Sequence, residues 1–300
     1  MRIILIFVDG LGLGDQDPKR NPCAQDGLKI LACFENDNGA IPTSSGGILI
    51  PTEATLGVEG LPQSATGQTT LLTGINCSKL LGRHLQGYPN ERLRTVLRER
   101  SLLKQVKDMG FRPAFINTYR PLFFSLKEKT KWHLSTTTVA NLSADLPFFR
   151  IEDLCQGRSI YHDFTNESLI RRGFHVPSFS AEDAAQILAR VSEDYELVLY
   201  EYFLTDRAGH SQEMERARRE LKKLDRFLSA FLREVDLNKS LIILTSDHGN
   251  IEDLSVKTHT RNRVMTLLWG HGAEKMKASI KTLEDVTPAL LRILKKNGPN

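Results

Sequence analysis

No run of about 18 apolar residues occurs in this 300-residue chain, so no membrane-crossing helix is expected. Four cysteines, Cys23, Cys33, Cys77 and Cys155, form no C-x-x-C pair. They read as reduced thiols, and a cytoplasmic location is expected. The first apolar run is short, lacks a small-residue cleavage site and ends at Asp9-Gly10, which is not the pattern of a signal peptide. Long blocks of one charge and motifs for RNA or DNA are missing too. The balance of 40 Lys+Arg against 36 Asp+Glu leaves only +4, which suits a small anionic ligand rather than nucleic acid. Internal repeats, low-complexity segments and interdomain linkers are also absent. One domain over residues 1–300 is therefore expected.

What is present alternates between strand and helix. Ile3 to Val8 is a continuous apolar run, as in a strand buried on both faces of a parallel sheet. Gly10, Gly12 and Gly14 follow, but Asp15 stands where a dinucleotide fingerprint needs its third glycine. The glycines instead let the backbone turn around whatever Asp9 holds. Residues 15–47 read as a long connection with a short helix near Leu28 to Phe34, then a short strand at Ile48 to Ile50. Pro62 opens a tight loop before a helix from Ala65 to Leu72, with Ser64 as its N-cap. A helix from Leu93 to Met109 stops at Gly110, and Arg112 to Asn117 is the next buried strand. Residues 122–180 lack a clear period and are expected to form a small elaboration over the site.

Ser180, with Asp183 three positions on, caps a helix from Ala181 to Ser192. Strands follow at Leu197 to Leu204, Leu241 to Leu244 and Val264 to Trp269. Helices follow at Gln212 to Val235 and Leu283 to Leu294. The longer one carries Ala217, Leu221, Leu224, Leu228 and Phe231 on one face. The alternation predicts an α/β layer fold with a mostly parallel sheet and helices on both sides.

Asp9, Asp206 and Asp247 follow three of these strands, and ligand sites in such sheets lie beyond the carboxyl ends of the strands. His248 adjoins Asp247, His210 follows Asp206 by four, and His259 sits in a loop before the last strand. Each taken singly is a turn or loop residue. Together, three carboxylates and three imidazoles would be costly to bury without divalent cations. Mixed O and N donors suit Zn²⁺ or Mn²⁺, and six donors favour two ions over one. Ser64, at a helix start with free N–H groups, would be the nucleophile of a two-metal phosphoryl-transfer site. Alone, it would be read as a helix cap.

With these residues in place, the chain resembles the alkaline phosphatase superfamily. It is most similar to the metalloenzyme branch of cofactor-independent phosphoglycerate mutase and phosphopentomutase. The matching segments run in order along the chain: Val8-Asp-Gly-Leu-Gly12, Gln63-Ser-Ala-Thr-Gly67, Thr205-Asp-Arg-Ala-Gly-His210, Thr245-Ser-Asp-His-Gly-Asn-Ile-Glu252 and Thr258-His-Thr260. The resemblance implies an alkaline-phosphatase-like three-layer sandwich. It assigns Asp9, Ser64, Asp247 and His248 to one metal and Asp206, His210 and His259 to the other. Ser64 would be phosphorylated transiently, and Asn250 and Glu252 would support the ligands from behind.

The nucleophile segment departs from the mutase form Asn-Ser-Glu-Val-Gly-His, having Gln63, Ala65, Thr66 and Gln68 instead. Both mutases carry a large inserted cap, for which 300 residues leave little room. A cap keeps water from the phosphoryl group, so its lack favours water as acceptor. The expected activity is hydrolysis of a phosphate ester on a small anionic substrate. The alternatives are a phosphomutase with a reduced cap, or a metal-binding protein that senses a ligand without turnover. Arg83, His84, Tyr88, Arg120, Tyr161 and His162 are candidates for the substrate side, outside the catalytic set.

Overall fold

The computed structural model describes residues 1–36, 38–126 and 133–296. The apolar run near the N-terminus is continuous because β1 (Arg2–Val8) has strands on both sides and helices above and below. It joins β2 (Ile41–Pro42), β3 (Ile48–Thr52), β4 (Pro113–Phe115), β5 (Leu197–Tyr202), β6 (Ser240–Thr245) and β7 (Val264–Gly270). Among the described residues these form one sheet in the order β2-β3-β7-β6-β1-β5-β4. Strands β6, β1, β5 and β4 run parallel, whereas β7, β3 and β2 each join by antiparallel pairing. The expected parallel sheet is found at the centre, with a mixed flank.

The helices are α1 (Ser64–Thr73), α2 (Cys77–Leu81), α3 (Glu91–Arg100), α4 (Leu102–Asp108), α5 (Pro121–Phe124), α6 (Thr136–Ser143) and α7 (Ile151–Cys155). They continue with α8 (Glu167–Ile170), α9 (Ala181–Val191), α10 (Leu204–Ser211), α11 (Met214–Glu234), α12 (Ala273–Lys277) and α13 (Leu283–Lys296). Alternate side chains of β1 serve two cores. Ile4, Ile6 and Val8 pack with the buried stripes of α9 and α11, including Leu221, Leu224, Phe227 and Leu228. Ile3, Leu5 and Phe7 pack with Leu71, Leu103, Val139 and Leu290 from α1, α4, α6 and α13. Each fully buried side chain of this size contributes about 1.5–3 kcal/mol relative to exposure. This is the three-layer α/β sandwich expected from the sequence.

Local interactions override the pattern in several places. No helix forms over Leu28–Phe34. The N–H groups of Lys29, Ile30 and Leu31 donate instead to the buried Asp225 carboxylate of α11, at 3.0, 2.8 and 2.9 Å. Three consecutive donors aimed at one carboxylate cannot also serve a helical ladder. The single helix expected from Leu93 to Met109 breaks into α3 and α4 at Ser101, which is extended and accepts the Lys104 N–H on its hydroxyl. Ser64 is not an N-cap. It is the first residue of α1, Gln63 is the cap, and no side chain bonds the free N–H groups there. The strand expected to run to Leu204 ends at Tyr202, and Leu204 opens α10.

Helix α1 is buried along nearly its whole length, although it is rich in threonine. The hydroxyls of Thr69, Thr70 and Thr73 donate to the carbonyls four residues back, at 2.6, 2.8 and 2.6 Å. With its polar groups satisfied in this way, the helix can enter the core and hold Ser64 rigidly.

Candidate metal centre

Asp9 follows β1 directly, and its N–H donates to the Tyr202 carbonyl on β5 at 2.9 Å. Thr205 donates its hydroxyl to the Asp9 carbonyl at 2.6 Å, while Gln68 of α1 donates to Asp9 Oδ2 at 3.2 Å. Asp247 and His248 lie just past β6 and are fully buried. Asp206 is the third residue of α10, and His210, one turn on, faces the same way, with Nε2 3.5 Å from Asp206 Oδ2. His259 arrives from the loop before β7 and stacks its ring on His248, centroids 3.7 Å apart.

All seven residues named from the sequence come together. Ser64 Oγ lies 3.0 Å from His248 Nε2. That nitrogen is 3.3 Å from Asp9 Oδ1 and 3.4 Å from Asp247 Oδ2. His259 Nε2 lies 3.6 Å from Asp206 Oδ1 and 3.3 Å from His210 Nε2. Two donor groups result, each within 4.8 Å: Asp9, Asp247 and His248, and Asp206, His248 and His259. His248 is common to both and so lies between them.

Backbone carbonyls orient two of the imidazoles. His259 Nδ1 donates to Pro62 O and His210 Nδ1 to Lys257 O, each at 2.8 Å. Both Nε2 atoms are thereby left as lone pairs facing the centre, as metal ligands require. Asn250 donates to Asp206 Oδ1 at 2.6 Å and to its carbonyl at 3.1 Å. Glu252 binds the N–H groups of Gly12 and Asn250 and the side chains of Thr260 and Asn262. Both tie together the loops that carry the candidate ligands.

The electrostatics test whether cations fit. Burial, followed by repulsion from Asp247, Asp206 and Glu201, raises the Asp9 carboxyl well above its ordinary range. Burial and Asp206 push Asp247 up to about 8. Burial and the nearby His259 hold His248 well below the ordinary histidine value, so it cannot neutralise the acids as a cation. Asp9 Oδ1 and Asp247 Oδ2 are buried without hydrogen-bond partners. Converging acids with orphaned oxygens, beside imidazole lone pairs, are a donor set that divalent cations satisfy.

Two neighbours were not singled out from the sequence. Gln68 was read only as a departure from a motif, yet it sits one turn after Ser64 and touches Asp9. Glu201 lies inside an apolar strand, and a charged residue in such a run was the available signal. Burial raises its carboxyl to about 7, although Thr137 donates to Oε2 at 2.8 Å. Of the substrate-side candidates, Arg120, Tyr161 and His162 line one cavity of about 320 Å³ together with Glu201. His84 bonds Ser78 Oγ and Val58 O, as part of its own loop. Arg83 is exposed, and Tyr88 is an exposed residue edge-on to His133.

Residues 171–297 match the family model of the Metalloenzyme superfamily, a span that includes Asp206, His210, Asp247, His248 and His259. The chain is 27% identical over 133 residues to the 2,3-bisphosphoglycerate-independent phosphoglycerate mutase of Ehrlichia ruminantium, covering 41% of this chain. The match spans only 26% of that mutase's length. A Pyrococcus horikoshii protein shares the fold, with a TM-score of 0.58 and 15% identity over 100% of this chain and 98% of that one. So does the alkaline phosphatase of the Antarctic bacterium TAB5, with a TM-score of 0.53 and 14% identity over 99% of each chain. The chain thus matches the Metalloenzyme superfamily model over residues 171–297, is similar over part of its length to the mutases, and shares the fold of an alkaline phosphatase.

Proposed function

We propose that this alkaline-phosphatase-superfamily metalloenzyme hydrolyses a phosphate ester, with Ser64 as the nucleophile. The observation that carries it is the 3.0 Å approach of Ser64 Oγ to His248 Nε2, at the start of a rigid buried helix and beside the three aspartates. Asp9, Asp247 and His248, with Ser64, would hold one divalent ion; Asp206, His210 and His259 would hold the other. Mn²⁺ or Zn²⁺ bound there would lower the pKa of the Ser64 hydroxyl and stabilise charge on the phosphoryl oxygens.

The serine oxygen forms a bond to phosphorus as the bond to the ester oxygen breaks, and the alcohol leaves with a proton. Water then attacks the phosphoserine, regenerating Ser64 and releasing phosphate. The Ser64 and Ala65 N–H groups at the start of α1, which no side chain caps, are placed to hydrogen-bond phosphoryl oxygens, while the Thr66 N–H donates to the Leu85 carbonyl at 3.4 Å. Three features keep the parts in register: Gln68 on Asp9, Asn250 on Asp206, and the two carbonyls that orient His210 and His259. Water is the favoured acceptor because no large cap domain interrupts the described chain. Four unpaired cysteines support a cytoplasmic location, and no described helix is long and apolar enough to cross a membrane.

The test is phosphate release from a panel of phosphomonoesters and diesters by metal-stripped protein, with Mn²⁺ or Zn²⁺ restored. Release is expected only with metal, and Ser64→Ala should abolish it while metal still binds. Metal-dependent release retained by Ser64→Ala would remove Ser64 from the nucleophile's role. The mutase relatives give a second reading: no release from any ester, but isomerisation of a sugar or glycerate phosphate, would make the chain a phosphomutase with a reduced cap.

A further inference from the structure

A cavity of about 320 Å³ opens beside the metal centre, at the carboxyl ends of β4 and β5. Its walls mix the aromatic Phe115, Tyr119 and Phe123 with the polar Arg120 and His162, while Leu122, also in the lining, is 65% exposed. Glu201 is the link to the centre. It pairs with Phe7 across the sheet, two positions before Asp9, and its charge acts on Asp9. Thr137 holds its Oε2, and among the described residues no donor reaches Oε1. The backbone around it is fixed: Asn117 Nδ2 donates to the Glu201 carbonyl at 2.8 Å, and the Glu201 N–H donates to Asn117 Oδ1 at 2.9 Å. Phe203, a further lining residue, leads directly into α10 and Asp206. A cavity of about 150 Å³ already admits a benzene ring, so this one has room for a ring with a substituent.

Building on the proposed hydrolysis, we propose that this cavity receives the organic half of the substrate, an aromatic or comparably bulky apolar group ending in a hydrogen-bond donor that meets Glu201 Oε1. Apolar walls supply affinity for the body of the group. An acceptor open to the cavity that no described protein donor pairs favours a donor at the tip, because a ligand lacking one would displace water from that oxygen and leave it unpaired. The substrate class is therefore a phosphate ester of a bulky alcohol.

Methyl, benzyl and 4-(hydroxymethyl)benzyl phosphates separate the two features, since their leaving alcohols are of similar acidity. Their phosphonate counterparts report binding to the metal-loaded protein whether or not turnover occurs. Benzylphosphonate should bind at least 10-fold tighter than methylphosphonate, with a further gain for the hydroxymethyl compound. Leu122→Trp, at an exposed position, should cut the benzyl-to-methyl ratio below 3. Glu201→Met should remove the hydroxymethyl advantage and keep the benzyl one, while Glu201→Gln, which retains an acceptor, should restore part of it. Equal affinities for methyl and benzyl phosphonates, or a Glu201→Met loss shared equally by all three ligands, would overturn the proposal. Tight benzylphosphonate binding without phosphate release from any ester would instead overturn the hydrolase reading and leave the cavity's role standing.

Discussion

The carboxylate of Glu252 accepts the backbone N–H of Gly12 at 3.0 Å, tying the loop after β1 to the loop after β6. The same group accepts from Asn250 N at 2.7 Å, from Asn262 Nδ2 at 3.1 Å and from the Thr260 hydroxyl. A Cβ on residue 12 would overlap this carboxylate. Gly12→Ala must therefore displace Glu252, and with it the supports of Asp206 and His259. Metal affinity should fall about 10–100-fold, the usual cost of disturbing groups behind metal ligands. Competition against a chelating dye would measure it, with circular dichroism confirming the fold. Unchanged affinity would show that Glu252 does not govern the ligands.

Asp247 gives a prediction of opposite sign for stability and for binding. Its carboxyl is buried beside Asp9 and Asp206, with one oxygen lacking a hydrogen-bond partner. Asp247→Asn removes that acid and keeps an oxygen for the Gly10 N–H, which lies 3.4 Å from Oδ1. In metal-free protein at neutral pH the variant should be more stable than the parent by about 1–3 kcal/mol. Added Mn²⁺ or Zn²⁺ should raise the parent's melting temperature by several degrees and leave the variant's nearly unmoved. A metal-free variant less stable than the parent would contradict the picture of unrelieved repulsion.

Much of this centre was legible in the sequence, because continuous apolar runs ending in Asp mark buried parallel strands and the edge where they meet. Asp9 and Asp247 could be placed by that pattern, and His210 by its spacing from Asp206. The turn from Leu28 to Phe34 could not, since it depends on Asp225, nearly 200 residues away. Periodicity carries no record of such a contact. The break at Ser101 was hidden because α3 and α4 each keep apolar residues at helical spacing on either side of it. Gln68 and Glu201 escape the sequence for a related reason: Gln68 departs from the motif at its position, Glu201 belongs to none, and each matters only through what it touches in three dimensions.

Glu201 makes stability depend on pH in metal-stripped protein. Its folded-state carboxyl titrates near 7, raised by burial from an ordinary 4.5. The native state thus holds a proton that the unfolded chain has released between those values. Stability should be full below about pH 4.5 and decline as pH rises toward 7, by up to about 3 kcal/mol. Glu201→Gln carries no such proton and should lose this component of the slope. Urea unfolding of both proteins from pH 5 to 8 would check it. Parallel pH profiles would mean that Glu201 ionises in the folded state as easily as in water.

Gly67 tests whether Ser64 depends on the packing of α1 against the end of β6. A Cβ built on Gly67 would lie 2.7 Å from the Asp247 carbonyl oxygen and 3.2 Å from Asp247 Cβ. The carbonyl belongs to buried backbone and cannot swing aside as a flexible side chain can, so Gly67→Ala must push the helix and the strand end apart. Overpacking of this kind costs about 1–3 kcal/mol of stability. The greater effect should fall on turnover, because the same displacement widens the 3.0 Å approach of Ser64 Oγ to His248 Nε2. Misplacement by about 1 Å costs on the order of 100-fold in rate. Phosphate release should drop by that order while both metals still bind, since the displaced serine is one ligand among several. If kcat fell only in proportion to the loss of folded protein, positioning by α1 would not limit the reaction. If metal binding were lost as well, the displacement would have reached Asp247 itself, and titrating metal into Gly67→Ala alongside Ser64→Ala separates these outcomes.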